Sequence, residues 1–138
     1  MFDVFGDINW LGVLAAFAAF ALLGAVYFTA VVPKFYVIAL GRQGKPQPES
    51  TLLDGLGPVV CIAVTTITSA VLLQALDVTR IVDGVVFGLI VGVGYLLTTM
   101  TNIAINPNFP RPLYYAALNT PFFLGGAVAS SVILTAIG

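Results

Sequence analysis

Histidine is missing from this 138-residue chain, and cysteine occurs once, at Cys61. One cysteine excludes an intrachain disulfide. Without histidine or a CxxC pair, the usual ligand sets for zinc, haem and non-haem iron are excluded as well. General acid–base catalysis by an imidazole is also excluded. We therefore expect neither a metal nor another cofactor in this protein.

Charged residues are scarce too. They make up 8% of the chain, against about 25% in soluble domains, while 59% of the residues are hydrophobic. A water-soluble fold of this length has too little interior to bury that much apolar surface. The net charge is −1 and no basic patch occurs, so nucleic acid is not an expected partner. Lipid is the expected solvent.

The few charges divide the chain into four uncharged stretches, each close to the roughly 20 residues that cross a bilayer core as a helix. We predict an all-α, four-helix transmembrane bundle that forms a single membrane domain over residues 1–138. The predicted helices cover about residues 9–32, 56–76, 84–102 and 113–137. Residues 33–41 are either a short interfacial helix or a kinked continuation of the first span.

The orientation follows from the distribution of lysine and arginine. With four spans, the first and third loops lie on one side of the membrane and hold Lys34, Arg42, Lys45 and Arg111. The second loop and the two termini lie on the other side and hold Arg80 alone. We therefore expect loops 33–55 and 103–112 in the cytoplasm and both termini outside. In a bacterium this corresponds to a multi-pass protein of the inner membrane.

Small residues recur on two of the predicted helices. One set is spaced by four in the third span, and the other lies in the last span: Gly84, Gly88 and Gly92, then Gly125, Gly126 and Ser130. Such faces let helix backbones approach closely in a membrane. They indicate either packing inside this bundle or docking onto a helix of another chain.

Hydroxyl groups lie inside the spans, among them Thr65, Ser69 and Thr98. They either bond their own helix backbone or line a site for a small molecule or a lipid headgroup. No ionisable residue is predicted at mid-membrane depth, which disfavours proton-coupled transport.

The densest polar cluster lies around the turn before the last span and consists of Asn106, Asn108, Arg111 and Asn119. Arg111 is placed to bind a lipid phosphate, or it serves only as a topology anchor. With Lys34 and Tyr36, these residues are the candidate contacts for a lipid or another ligand.

Two stretches resemble a known family. The first includes residues 24–28, 33–36 and 40–41 (GAVYF, PKFY and LG), and the second includes residues 108–113 (NFPRPL) followed by Asn119. They are similar to the first-helix and last-helix regions of the bacterial membrane family known as domain of unknown function 1761. The resemblance implies a four-helix membrane protein and carries no established activity.

The leading functional hypothesis is a non-enzymatic accessory or assembly subunit of a larger membrane complex, such as a lipid or solute transporter. The expected partners are then membrane lipids and either other membrane chains or further copies of this one. The alternative is a small homo-oligomeric transporter or lipid-binding protein whose polar faces line a site. An enzyme ranks third, because serine, threonine and tyrosine alone need an activating partner.

Overall fold

The computed structural model describes residues 3–138, and its regular structure is entirely helical over that range. It contains α1 (Trp10–Val31), the short α2 (Pro33–Ala39), α3 (Leu52–Ala75), α4 (Ile81–Ala104) and α5 (Pro112–Ile137). All except α2 are long and apolar enough to cross a membrane. The predicted all-α fold with four spans is confirmed, and the chain is a multi-pass membrane protein.

The junction between α1 and α2 is set by Pro33. Proline has no backbone N–H to donate and its ring disfavours a continuing α-helix, but it fits the first position of a new one. The last turn of α1, Tyr27–Val31, is π-helical, and the Val32 N–H bonds the Tyr27 carbonyl at 3.0 Å. Residues 33–39 therefore form a separate short helix that begins at the proline.

Helix α3 starts at Leu52, four residues before the predicted position 56. The cause is a capping box: the Asp54 N–H donates to the Thr51 hydroxyl, and the Thr51 N–H donates to the Asp54 carboxylate at 2.7 Å. This reciprocal pair satisfies two N–H groups at the helix start. Pro58 consequently lies inside the helix rather than in the first turn, where a start at residue 56 would have placed it.

Helix α4 also starts earlier and ends later than the predicted 84–102. Its first turn includes Asp83, and its last residue is Ala104. It includes a π-helical segment, Gly92–Leu97, in its middle. Helix α5 starts at Pro112, one residue before the predicted 113, and it contains Pro121 in its interior.

The centre of the bundle is α5, which packs against all four other helices, while α3 also packs against α1. Two groups of buried apolar side chains lie between α1, α3 and α5. One is built around Val13, Ala70 and Leu134, and the other around Phe20 and Phe122.

Contacts at the two ends of the bundle fix how the helices are arranged. The Asn9 amide donates to the Ile137 carbonyl at 2.8 Å, which brings the start of α1 next to the end of α5. At the other end, the first loop meets the third, since a Cβ on Gly41 would lie 3.0 Å from Pro110. The first and third loops therefore share one end of the bundle, and the start of α1 and the end of α5 share the other, as an even number of spans requires.

Candidate functional site

A groove of about 850 Å³ lies between α1, α2, α3 and α5, at the end of the bundle where the first loop is found. This volume is within the range of about 300–1,000 Å³ typical of small-molecule sites. Its walls are mainly apolar and aromatic. A few polar groups lie at two depths, one at the mouth of the groove and one further along its wall. The lining includes Gly24, Ala25, Phe28, Tyr36, Arg42, Gln47, Pro48, Asp54, Gly55, Pro58, Ile62, Tyr115, Asn119, Phe122 and Phe123.

The inner wall is a chain of aromatic rings. The ring of Phe28 meets Phe122 at a centroid distance of 5.1 Å and Tyr36 at 5.7 Å, in both cases edge to face. Phe123 continues the chain, 5.0 Å from Phe122. These separations lie in the range that aromatic pairs prefer. The wall is therefore continuous and apolar, which suits a hydrocarbon chain or another apolar moiety.

A polar group interrupts this wall. Short helix α2 turns Tyr36 towards α5, and its hydroxyl donates to the Tyr115 hydroxyl at 2.9 Å. Asn119 lies one turn further along α5, is 3% exposed, and donates its amide to the Tyr115 carbonyl at 2.8 Å. Two hydroxyls carry two protons and their mutual bond uses one, so the pair keeps one O–H donor for a further acceptor.

The Tyr36 hydroxyl remains neutral under physiological conditions. It lies outside the four membrane-spanning helices, and burial, followed by the hydrogen bond with Tyr115, raises the pKa of Tyr36 above its ordinary value. The hydroxyl therefore acts as a hydrogen-bonding group and not as a phenolate base.

The mouth of the groove carries one charge of each sign. Arg42, partly exposed, comes from the first loop and Asp54 from the first turn of α3. Asp54 uses its Oδ2 atom for both bonds to Thr51, each 2.7 Å long, which leaves Oδ1 available. The ion pair found within residues 3–138 is Arg80–Asp83, so Arg42 and Asp54 are not bridged to each other.

The structure brings together two of the five predicted contact residues. Tyr36 and Asn119 both line the groove, whereas Lys34, Asn108 and Arg111 are exposed and do not line it. Arg111 directly precedes α5, and its side chain makes no capping bond there.

Sequence reasoning missed Arg42, Asp54 and Tyr115. Arg42 contributes only to the predicted orientation, and neither Asp54 nor Tyr115 is among the predicted contact residues. Tyr115 could have been found from the sequence, because it precedes Asn119 by four residues and therefore lies on the same face of the predicted last helix.

The three glycines of α4 pack inside the chain, against α5. A Cβ on Gly88 would lie 2.7 Å from the Val128 Cα atom and 2.9 Å from the Ala127 carbonyl oxygen. Gly84 and Gly92 meet α5 in the same way, next to Thr135 and Leu124 respectively.

The small residues of α5 allow a close approach to α1, on the side of α5 that faces away from α4. A Cβ on Gly126 would overlap the ring of Phe20 from α1, and one on Gly125 would lie 3.5 Å from Leu23. Ser130 is buried and donates its hydroxyl to the Ala127 carbonyl at 3.2 Å. Both small-residue faces are thus covered by helices of this chain.

The hydroxyls inside the spans bond their own helices. Thr65 donates to the Cys61 carbonyl and Ser69 to the Thr65 carbonyl, both at 2.9 Å. Thr98 donates to the Val93 carbonyl, five residues back, across the π-helical turn. None of these three donors lines the groove.

A smaller cavity of about 310 Å³ lies at the opposite end of the bundle, between the start of α1, the end of α3 and the end of α5. Asn9, Gln74, Asp77 and Thr135 are among its lining residues, and it has no aromatic wall. It therefore lacks the continuous aromatic surface that makes the larger groove suited to an amphipathic molecule.

The family described as "Protein of unknown function (DUF1761)" matches the chain over residues 11–135. Neither the curated proteins nor the solved structures contain a match.

Proposed function

Because the chain belongs to the DUF1761 family, whose function is unknown, we propose a function from its geometry: it is a non-enzymatic membrane protein that binds one lipid. The lipid places an apolar chain along the aromatic wall and a hydrogen-bond acceptor against the Tyr36–Tyr115 pair. This is the lipid-binding alternative of the sequence analysis, now centred on the groove.

The observation that carries this proposal is the polar group set into an apolar wall. A groove that only filled space between helices would have no reason to hold Tyr36, Tyr115 and Asn119 together against Phe28 and Phe122. Buried polar groups are costly unless they are hydrogen-bonded, and pockets for small molecules typically use a few of them to fix orientation. An ester carbonyl of a lipid is a suitable acceptor for the remaining O–H donor.

The accessory-subunit hypothesis is less well supported. It rested in part on the glycine faces as docking surfaces, and Gly88 and Gly126 are in contact with α5 and with Phe20 of the same chain. Lipid binding needs no partner chain, so it accounts for the groove more directly. Copies of this chain and other membrane proteins remain proposed partners for the outer faces of the bundle.

We further propose that the groove opens towards the cytoplasmic side of a bacterial inner membrane. Its mouth lies at the end of the bundle that holds the first and third loops, with Lys34, Arg42, Lys45 and Arg111. The positive-inside rule favours that end as the cytoplasmic one.

The test is to fill the groove without disturbing the bundle. Gly55 lines the groove, and a Cβ placed on it meets nothing within 4 Å, so Gly55→Trp should place an indole in the space of the lipid. Gly57 lies two residues further along α3 but does not line the groove, and its Cβ would make only an ordinary contact with Leu53 at 3.7 Å. Gly57→Trp is therefore the matched control.

Both variants would be purified in mild detergent, and native mass spectrometry would measure the lipid retained per chain. We expect wild type and Gly57→Trp to retain one lipid and Gly55→Trp to lose it, with unchanged helical content. Equal retention by both variants would refute binding in this groove. Stoichiometric capture of a second protein, together with equal retention, would favour the accessory-subunit hypothesis.

A further inference from the structure

We infer that the bound lipid is a glycerophospholipid whose headgroup carries both a phosphate and a primary amine. The inference rests on the proposed function and adds to it the chemical class of the ligand. It comes from the mouth of the groove, defined by Arg42, Gln47, Pro48 and Asp54.

The mouth holds two opposite charges that do not neutralise each other. Arg42 and Asp54 both line the groove, and no ion pair within residues 3–138 joins them. A purely anionic headgroup would meet the Asp54 carboxylate, and a purely cationic one would meet the Arg42 guanidinium. A headgroup with one charge of each sign satisfies both residues.

The hydrogen-bonding chemistry of the two residues specifies the charged groups. Arginine offers five N–H donors in a planar fork that matches the oxygens of a phosphate. The free Oδ1 atom of Asp54 is an acceptor, since Oδ2 already takes both bonds from Thr51. A primary ammonium has three N–H donors for such an oxygen, whereas a quaternary ammonium has none.

The order of groups along the groove agrees with the order in such a lipid. The charged residues are at the mouth, the Tyr36–Tyr115 hydroxyl pair comes next, and the wall around Phe122 lies among the buried helices. A glycerophospholipid presents its headgroup, its ester carbonyls and its acyl chain in that sequence. One molecule therefore meets all three levels of the site.

The experiment compares three lipids with identical dioleoyl chains: phosphatidylethanolamine, phosphatidylcholine and phosphatidylglycerol. Each would be titrated into delipidated protein in nonionic detergent, and native mass spectrometry would give its Kd. We expect phosphatidylethanolamine to bind about tenfold more tightly than either of the others, because only its headgroup offers a charged N–H donor to the Asp54 carboxylate, whereas choline has no donor and glycerol has only neutral hydroxyls.

Two variants separate the roles of the charges. Asp54→Asn keeps the shape but removes the charge, so phosphatidylethanolamine should lose its advantage over phosphatidylcholine. Arg42→Gln should weaken all three lipids, since each carries a phosphate. Thr51→Ala is the control, because it removes the hydroxyl of the capping box and leaves the Asp54 carboxylate in place.

The inference is overturned if phosphatidylglycerol or phosphatidylcholine binds wild type as tightly as phosphatidylethanolamine does. It is also overturned if Thr51→Ala removes the preference as fully as Asp54→Asn, since the effect would then come from the helix start. If all three lipids bind equally and Gly55→Trp still blocks them, the lipid site stands and only the headgroup assignment fails. If Gly55→Trp blocks none of them, the proposed function fails as well.

Discussion

The close approach of α4 to α5 at Gly88 leads to a quantitative prediction about a single methyl group. A Cβ at this position would lie 2.7 Å from the Val128 Cα atom, which is backbone and cannot rotate away. At Gly94, six residues further along the same helix, a Cβ would meet nothing within 4 Å. Gly88→Ala and Gly94→Ala thus make the same chemical change in one helix, with and without a steric conflict.

The expected magnitudes follow from two opposing effects. Replacing a glycine in an α-helix interior with alanine stabilises the helix by about 0.8–1 kcal/mol, which Gly88→Ala gains in full; Gly94 lies in the π-helical segment Gly92–Leu97, and its gain is at most of this size. Inserting a methyl group into a well-packed contact costs about 1–3 kcal/mol, and only Gly88→Ala incurs it. Gly94→Ala should therefore be stabilised by up to about 1 kcal/mol, and Gly88→Ala should lie about 1–3 kcal/mol below it.

The assay is reversible unfolding in mixed micelles with an increasing fraction of sodium dodecyl sulfate, followed by far-ultraviolet circular dichroism. The comparison uses the difference between the two variants, so the helix-propensity contribution largely cancels. If both variants have the same free energy of unfolding, the reasoning is refuted, because α4 and α5 then do not approach closely at Gly88.

Two further predictions concern topology and the buried hydroxyls. In a Cys61→Ser background, single cysteines at Gly44 and Asn108 should react with an impermeant thiol reagent only from the cytoplasmic side, and single cysteines at Asp3 and Gly138 only from outside. The reason is the excess of lysine and arginine in the first and third loops. Labelling of positions 3 and 138 from different sides would contradict an even number of spans. The triple variant Thr65→Val, Ser69→Ala, Thr98→Val should retain lipid as wild type does, because each hydroxyl bonds its own backbone; loss of lipid with normal folding would contradict this.

The candidate site was only partly predictable from the sequence, and the reason is geometric. Tyr36 and Asn119 were both predicted as candidate contacts for a lipid or another ligand, but their meeting depends on the turn at Pro33, which directs α2 towards α5. Arg111 was the predicted phosphate ligand because it lies near the headgroups at the start of a span, with a role as a topology anchor as the alternative. Arg111 is exposed and does not line the groove, and Arg42 from the first loop lies at the mouth instead.

The sequence by itself determined the solvent of this protein, the number of spans and the all-helical fold, because each of these depends on composition and on the length of uncharged stretches. It also identified the glycines at which helices approach closely. Only the tertiary structure decided which helix covers each glycine, since spacing along one helix does not specify its neighbour. The groove likewise exists only where four elements from distant parts of the chain converge, and no local pattern encodes that convergence.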